Sequence, residues 1–339
     1  MKKLFLIMAA CGIVAGCAKK NTSSTGEEAQ TYLNLLLERD YPGVSANENG
    51  IYVLEDIPGT GDLWNASTPF TYAETTIRTM GGTISSTSDE ATAKQLGTYA
   101  FGNYYGPKYS ATGEGSSYAG FDALLTGMRA GGSRTAILPA WLLTTSRYTS
   151  QKAYLDACTS TTSLIYSVKL HGQSEDLIQE QKDSIRRYVT RHYGSNVTFT
   201  PILGNNDYDG QFWFISDSTA FEGVDHRADD ASLQLNYTGR LLNGQVFDTT
   251  LERVAKDAGI YSSAKTYAAQ SVSFNKDYSS ISMGSSTALI NGFKLGLFRM
   301  HWSGQKATVI FTSNWGYDSS GSGALIPGYS PLIFELELL

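Results

Sequence analysis

The chain has 339 residues, of which 41% are hydrophobic and 17% charged, and its formal net charge is −6. This composition excludes a disordered chain, and the negative charge argues against binding to nucleic acid through a general positive field. The length is sufficient for two domains, each with its own core. The 21 tyrosines and 34 glycines, beside 8 prolines, favour antiparallel β-structure with tight turns.

The first residues have the pattern of a secretory signal. Two lysines precede an apolar run that is too short to span a membrane as a mature helix. Val14-Ala15-Gly16-Cys17 resembles the processing box of bacterial lipoproteins, although that family more often has Leu at the place of Val14. The resemblance implies a signal peptide at 1–16, lipid on Cys17 and a polar tether at 17–26. An ordinary signal peptide with an incidental cysteine is the alternative.

The remaining cysteine and the histidines indicate no metal site. With Cys11 in the signal and Cys17 lipidated, Cys158 has no disulfide partner, and we predict a buried structural thiol. The histidines are scattered and lack the spacing of metal ligands; they are His171, His192, His226 and His301. No metal or other cofactor is predicted.

Two amphipathic segments predict helices. Residues 28–39 place leucines on one face and end at Pro42-Gly43. Residues 174–192 carry acidic residues in the first turn and basic residues in the last, with Ser174 as a candidate cap and Gly194 as the stop. We interpret the second helix as a connector at 173–194, between an N-terminal domain at 27–172 and a C-terminal domain at 195–339.

Strand patterns occur in both domains. In the first we predict strands at 51–55, 70–78 and 133–138, a short helix at 117–129, and an insertion at 86–115. In the second we predict strands at 211–215, 232–242, 246–248, 305–312 and 332–339, with an insertion at 251–278. Ser286 is predicted to cap a helix that carries Leu289, Ile290, Phe293 and Leu297 on one face.

The chain also repeats itself. Gly120-Phe121 lies 172 positions before Gly292-Phe293, and the same spacing relates Gly132 to Gly304. The strand pattern beginning at Leu164 returns at Leu332. Ordered matches of this kind favour duplication of one domain.

The second copy contains a series of short motifs in a fixed order. They are Tyr237-Thr238-Gly239, Val246-Phe247-Asp248, Ile290-Asn291-Gly292-Phe293, Trp315-Gly316-Tyr317, Leu325-Ile326-Pro327 and Leu332-Ile333-Phe334. Their order and spacing resemble the FKBP-type peptidyl-prolyl cis-trans isomerase family. The resemblance implies an α+β fold with two tandem domains, each an antiparallel sheet curved around a short helix. It also implies an isomerase that acts without a cofactor, because a dry aromatic pocket stabilises the twisted prolyl amide.

By this resemblance, the catalytic residues are Tyr237, Asp248 and Tyr317, and the substrate-binding residues are Phe247, Ile290, Phe293, Leu325, Ile326 and Phe334. Core packing of Tyr237 and Phe334, and a turn-stabilising role of Asp248, are the alternatives. Two departures from the family pattern are Ser279, in place of an aromatic residue, and Gly328, in place of a second proline.

The first copy departs further, because the positions that answer to Tyr237 and Asp248 fall near Glu74 and Ser85. We therefore expect a scaffold or recognition role for this copy, with catalysis in the second. The expected partners are proline-containing peptides or unfolded envelope proteins, and no nucleic acid. The expected location is the outer membrane, facing the periplasm, through lipid on Cys17. A non-catalytic chaperone or protein-binding lipoprotein is the alternative function.

Overall fold

A computed structural model of the chain describes residues 25–113, 118–157, 162–201, 208–216 and 231–339. The signal segment, Cys17, Cys158 and His226 lie outside these residues, so the predictions about them stay predictions. Among the described residues, no helix has both the length and the apolar character needed to cross a membrane. The same residues contain no cluster of three or more histidine, cysteine or acidic side chains suited to a metal ion.

Two antiparallel sheets and the helices packed on them form the described fold, which confirms the predicted α+β class. The first sheet consists of β1 (Tyr52–Ile57), β2 (Phe70–Thr79), β3 (Ile84–Thr87), β4 (Lys108–Ala111), β5 (Ser133–Leu138) and β6 (Leu164–Ser174). The second consists of β7 (Phe212–Ser216), β8 (Ser232–Leu241), β9 (Val246–Thr249), β10 (Gln270–Ser273), β11 (Ser282–Met283), β12 (Lys306–Phe311) and β13 (Leu332–Leu338). The helices are α1 (Thr25–Asp40), α2 (Glu90–Gln95), α3 (Ala119–Leu125), α4 (Gln151–Asp156), α5 (Leu177–Tyr193), α6 (Glu252–Asp257) and α7 (Asn291–Phe298), with short 3-10 turns at Ala140–Leu142, Tyr278–Ser280 and Ser313–Trp315.

The two sheets share one topology. The first has the order β1-β5-β6-β2-β3, with β4 also on β2, and the second has the order β11-β10-β8-β13-β12-β7, with β9 also on β8. Each strand of the first sheet therefore has a counterpart in the second, and β10, the counterpart of β4, has β11 as one additional neighbour. This agreement supports duplication of one domain.

The register of the strands corrects the predicted equivalences at two places in the fold. The N–H of Thr75 donates to Ser88 at 2.8 Å, just as that of Tyr237 donates to Thr250 at 2.9 Å. Thr75 and Ser86, rather than Glu74 and Ser85, therefore stand where the second copy has Tyr237 and Asp248.

The second correction concerns the turn before β5 and β12. Gly131, not Gly132, is the counterpart of Gly304, because the two have φ of 85° and 84°. Each also donates its N–H to the last strand of its copy, to Leu170 and Leu338 respectively. The turn from Met128 to Gly131 is one residue shorter than its counterpart, which shifts the register by one.

The two predicted insertions are equivalent to each other. Each begins with a six-residue helix, α2 or α6, and continues into a loop held by two stacked tyrosines. In residues 99–105, called the first tyrosine loop, Tyr99 and Tyr105 stack at 5.2 Å. In residues 261–267, the second tyrosine loop, Tyr261 and Tyr267 stack at 5.4 Å. A lysine of the preceding helix lies over the first tyrosine in both loops. These segments therefore belong to the duplicated domain.

Helices α1 and α5 occupy equivalent places. The leucines of α1 pack against Ile137 and Ile165 of the first sheet, and Ile185 and Val189 of α5 pack against the second sheet. The predicted connector is thus also the first helix of the second copy. Its cap is Asp176, which accepts the N–H of Gln179, and not Ser174.

The other face of the second sheet carries α7. Phe293, Leu295 and Leu297 of this helix are buried in the main core. Two glycines of α7 allow close contact with β12: a Cβ at Gly292 would lie 2.5 Å from the ring of Phe311. Helix α7 therefore lies directly on β12, the strand that precedes the loop containing Tyr317.

Candidate functional site

The nine predicted site residues line one cavity of about 420 Å³ on the α7 side of the second sheet. They come from β8, β9, β13, α7 and two loops, and are Tyr237, Phe247, Asp248, Ile290, Phe293, Tyr317, Leu325, Ile326 and Phe334. Sequence reasoning missed several further lining residues, which are Gly102, Met283, Ala288, Leu289, Ser322, Gly323 and Ala324. Ser279, the predicted departure from the family, is not among the residues that line the cavity.

Aromatic rings form most of the apolar wall. Phe334 lies at the centre, with ring centroids 4.8 Å from Phe293 and 5.5 Å from Phe247, both in edge-to-face contact. Tyr237 meets Phe293 at 5.6 Å in the same way. Phe293 and Phe334 are 4% and 5% exposed. Such contacts fix the rings rigidly, and the cavity is apolar at this depth.

Gly239 explains how Phe247 reaches the wall. Phe247 lies on β9, beside β8, and its ring crosses the backbone of Gly239: a Cβ there would lie 2.4 Å from the ring. A side chain at this position would push the ring away. The Tyr-Thr-Gly motif therefore has a packing reason as well as a family resemblance.

A polar edge runs along the opposite margin. The Tyr237 hydroxyl donates to Asp248 Oδ2 at 2.7 Å, and the Thr249 N–H donates to Oδ1 at 2.9 Å. Lys265 of the second tyrosine loop forms an ion pair with the same carboxylate. Burial, followed by the charge of Asp248, raises the pKa of Tyr237 above its ordinary value. The hydroxyl therefore stays protonated and donates at neutral pH.

The second hydroxyl of the site belongs to Tyr317. It lies in the loop after β12 and lines the cavity beside Ile326. Burial raises its pKa, and the charge of Asp248 acts in the same direction, while a hydrogen bond with Ser322 acts in the opposite direction. Tyr317 is thus a neutral hydrogen-bond donor at the mouth of an apolar cavity.

Residues 317–331, called the overhanging loop, have a closely packed backbone. Ser322 and Ile326 exchange two backbone hydrogen bonds, at 2.8 and 3.2 Å. A Cβ at Gly328 would lie 2.2 Å from the carbonyl oxygen of Ser319. Glycine at position 328, the predicted departure from the family, therefore has a steric reason in this chain.

Gln181 of α5 holds this loop from behind. Its side chain is 3% exposed and donates to Ser313 Oγ and to the Tyr329 carbonyl, both at 3.0 Å. It also accepts the Ser313 N–H at 2.7 Å. The connector helix thus contacts both the 3-10 turn that precedes the overhanging loop and the C-terminal end of that loop.

Comparisons with known proteins agree with this geometry. The family model described as FKBP-type peptidyl-prolyl cis-trans isomerase matches residues 224–339. The chain is 31% identical over 118 residues to FK506-binding protein 1A of Aspergillus fumigatus, covering 34% of this chain and 83% of that protein. The chain belongs to the FKBP-type peptidyl-prolyl cis-trans isomerase family. The predictions of this family and of an isomerase are confirmed at the level of the family.

A second curated protein and one solved structure also match the chain. A probable FKBP-type peptidyl-prolyl cis-trans isomerase of Haemophilus influenzae is 32% identical over 108 residues, or 32% of this chain and 34% of that protein. The crystal structure of the three FKBP domains of wheat FKBP73 covers 86% of this chain and 94% of that chain, with 15% identity and a TM-score of 0.29.

Helix α7, which supplies Phe293 to the FKBP-type pocket, begins later than predicted. Helix α7 starts at Asn291, and Ile290 is its cap residue. Ser286 instead accepts the N–H of Ala288 and pairs with Met283 in a short bridge. Leu289 and Ile290 therefore reach the cavity from a loop and not from a helical face.

Proposed function

We propose that the second copy catalyses cis-trans isomerisation of prolyl peptide bonds. The observation that carries the proposal is the gathering of nine separated residues around one cavity, with an aromatic floor and two neutral tyrosine hydroxyls at its edge. A proline ring is apolar and compact, and its amide carries a carbonyl that needs a donor. The aromatic floor of the cavity can contact the proline ring, and a tyrosine hydroxyl at its edge can donate to the carbonyl.

The chemistry needs no covalent step. The barrier to rotation about the amide bond is about 18–20 kcal/mol, and twisting the bond removes its resonance and part of its polarity. An apolar pocket favours that state over the planar amide. Each 1.4 kcal/mol of preferential stabilisation accelerates the rotation about tenfold, so the contacts of one pocket are sufficient.

Each site residue has a distinct part in this mechanism. Phe293 forms the floor under the proline ring, and Tyr317 donates to the substrate carbonyl. Asp248 holds the Tyr237 hydroxyl and Lys265 in place, and acts as a positioning residue.

A proline-isomerisation assay on the purified protein tests the proposal. With a proline-containing tetrapeptide, Tyr317→Phe should lower kcat/KM by about tenfold, the loss of one good hydrogen bond. Asp248→Ala should lower it by at least as much, because Tyr237 and Lys265 both lose the group that holds them. Tyr329→Phe is the matched control, because it makes the same chemical change in the same loop and its ring faces Phe70 of the first copy. Wild-type rates equal to the uncatalysed rate would refute the proposal.

We further propose that the protein is a lipid-anchored envelope protein that assists the folding of other envelope proteins. Support comes from the resemblance of Val14–Cys17 to a lipoprotein processing box. Metabolic labelling with a radioactive fatty acid tests it: wild type should be labelled and Cys17→Ser should not. Labelling that persists in Cys17→Ser would contradict lipidation at this residue.

A second candidate function is non-catalytic binding of proteins, and it applies to the first copy. This copy keeps the fold, but Thr75 and Ser86 occupy the places of Tyr237 and Asp248. It therefore lacks the polar edge of the second pocket. Binding of an unfolded protein that survives Asp248→Ala with full affinity would support this role.

A further inference from the structure

A loop of the first copy borders the pocket of the second. Gly102, in the first tyrosine loop, lines the main cavity. It also lines an adjoining cavity of about 300 Å³, together with Phe247, Ile260 and Leu325. The adjoining cavity is therefore built by residues of both copies, with Asp248 between it and the main cavity.

Direct contacts hold this loop in place. The N–H of Tyr104 donates to the carbonyl of Ala324 in the overhanging loop at 2.9 Å. The side-chain amide of Gln245, in the β8–β9 turn, donates to the carbonyl of Asn103 at 3.0 Å. These two bonds attach the first copy to the β8–β9 turn and to the overhanging loop of the second copy.

Phe101 makes the third contact. A Cβ at Gly259 would lie 2.5 Å from its ring, so the ring lies directly on the backbone of the second copy. Even so, Phe101 is 59% exposed. Phe101 therefore presents one open side of its ring next to Gly102, the residue of this loop that lines both cavities.

The duplication explains why two such loops meet here. The second tyrosine loop contributes Lys265 to the adjoining cavity and to Asp248. Its equivalent in the first copy has Asn103 at the corresponding position and approaches the second copy instead of a pocket of its own. The first copy has thus lost its polar edge but kept the loop.

We propose that the first tyrosine loop is part of the substrate site, and that Phe101 and Gly102 contact the side chain that flanks the substrate proline. The adjoining cavity has Phe247, Ile260 and Leu325 on its walls, beside the Asp248–Lys265 ion pair, and we expect the apolar walls to receive the flanking side chain. The first copy therefore sets substrate preference, while the second performs the isomerisation. This inference rests on the proposed function.

Gly102→Trp tests the location. A Cβ at Gly102 meets no atom within 4 Å and its φ is unstrained, so the indole should enter the cavity without disturbing the fold. We expect an unchanged Tm and a fall of at least about tenfold in kcat/KM. Gly81→Trp is the matched control, because Gly81 is an exposed first-copy glycine whose Cβ would make ordinary contact at 3.8 Å. Wild-type kcat/KM in Gly102→Trp would overturn the inference.

Phe101→Ala tests the contribution to preference. Two peptides that differ by Leu or Ala before the proline are compared, and the ratio of their kcat/KM values should fall at least about threefold in the variant. A purely structural role would lower both values equally and leave the ratio unchanged, which would overturn the inference. Tyr32→Ala, which removes a 53% exposed aromatic of α1, is the control.

Peptide binding distinguishes failure of the proposed isomerase function from failure of the proposed role of the first tyrosine loop. Fluorescence anisotropy of the labelled leucine peptide is measured on the same full-length proteins. If the wild type binds but does not isomerise, the proposed function fails, and weaker binding by Gly102→Trp still supports the inference. If wild type isomerises and both loop variants keep its binding and its substrate ratio, the inference fails and the proposed function stands.

Discussion

Replacing Tyr237 by Phe removes one hydroxyl from the pocket and leaves the ring against Phe293 and Phe334. The hydroxyl donates to Asp248 at 2.7 Å, and a hydrogen bond to a charged group contributes about 1.5–3 kcal/mol. Asp248 keeps the Thr249 N–H and is 40% exposed, so water partly replaces the lost donor. We therefore expect a loss of about 1.5 kcal/mol in the free energy of unfolding, at the lower end of that range.

The assay is urea unfolding of wild type, Tyr237→Phe, Asp248→Ala and the double variant. If the bond forms as described, the coupling energy from this cycle should be about 1 kcal/mol or more. Kinetics should separate the effect on stability from the effect on catalysis. Tyr237→Phe keeps the aromatic ring in the apolar wall and should lower kcat/KM by about threefold or less, since the lost hydrogen bond is remote from the substrate. A coupling energy near zero would refute the proposed link between Tyr237 and Asp248.

The pH dependence of the free energy of unfolding provides a second test of the Tyr237–Asp248 hydrogen bond. Burial and the charge of Asp248 raise the pKa of Tyr237 in the folded chain, while a tyrosine of the unfolded chain ionises near pH 10. The stability from this group is fully present below about pH 10 and is lost as the pH rises towards the folded-state pKa. The stability advantage of wild type over Tyr237→Phe should therefore shrink by about 1.4 kcal/mol per pH unit above pH 10.

Three further predictions concern single positions. Gly239→Ala should displace the Phe247 ring, destabilise the protein by about 1–3 kcal/mol and weaken peptide binding measured by anisotropy. Lys265→Met should change the free energy of urea unfolding by less than about 1 kcal/mol, because its ion pair with Asp248 is partly exposed, and that change should vanish at roughly 1 M salt. Arg134→Met should cost about 2–3 kcal/mol in thermal unfolding, because the buried carbonyl of Leu124 and the partly buried carbonyl of Thr126 lose their donor, while kcat/KM stays unchanged.

Much of the pocket was predictable because its residues lie in short motifs whose order along the chain is characteristic. Alternation in β8 and the Asn243-Gly244 turn also set the register that places Asp248 beside Gly239. The cap of α7 was not predictable in this way. A serine that precedes a helix is as able to accept an N–H within a turn as to cap the helix, and Ser286 does the former.

The sequence does not predict Lys265 or Gly102 as site residues, because both lie in segments whose length indicates insertions. Contacts between distant segments depend on three-dimensional packing, and no local pattern marks Gly102 as part of another copy's pocket. One usable signal was present: a second repeat, at a spacing of 162, pairs the first tyrosine loop with the second. The residues it matches are Glu90, Lys94, Gly97, Tyr99 and Tyr105 with Glu252, Lys256, Gly259, Tyr261 and Tyr267.

Gln181, the buried glutamine of the connector helix, determines where a shortened chain containing only the C-terminal half can begin. A shortened chain that begins at residue 195 loses Gln181. Ser313, just before the overhanging loop, and the Tyr329 carbonyl, within that loop, then lose the side chain that bonds them. Each buried group left without a partner costs about 1–3 kcal/mol, and the outer face of the sheet loses its cover of α5 side chains. A C-terminal half produced on its own should therefore begin no later than Asp176, the cap of that helix.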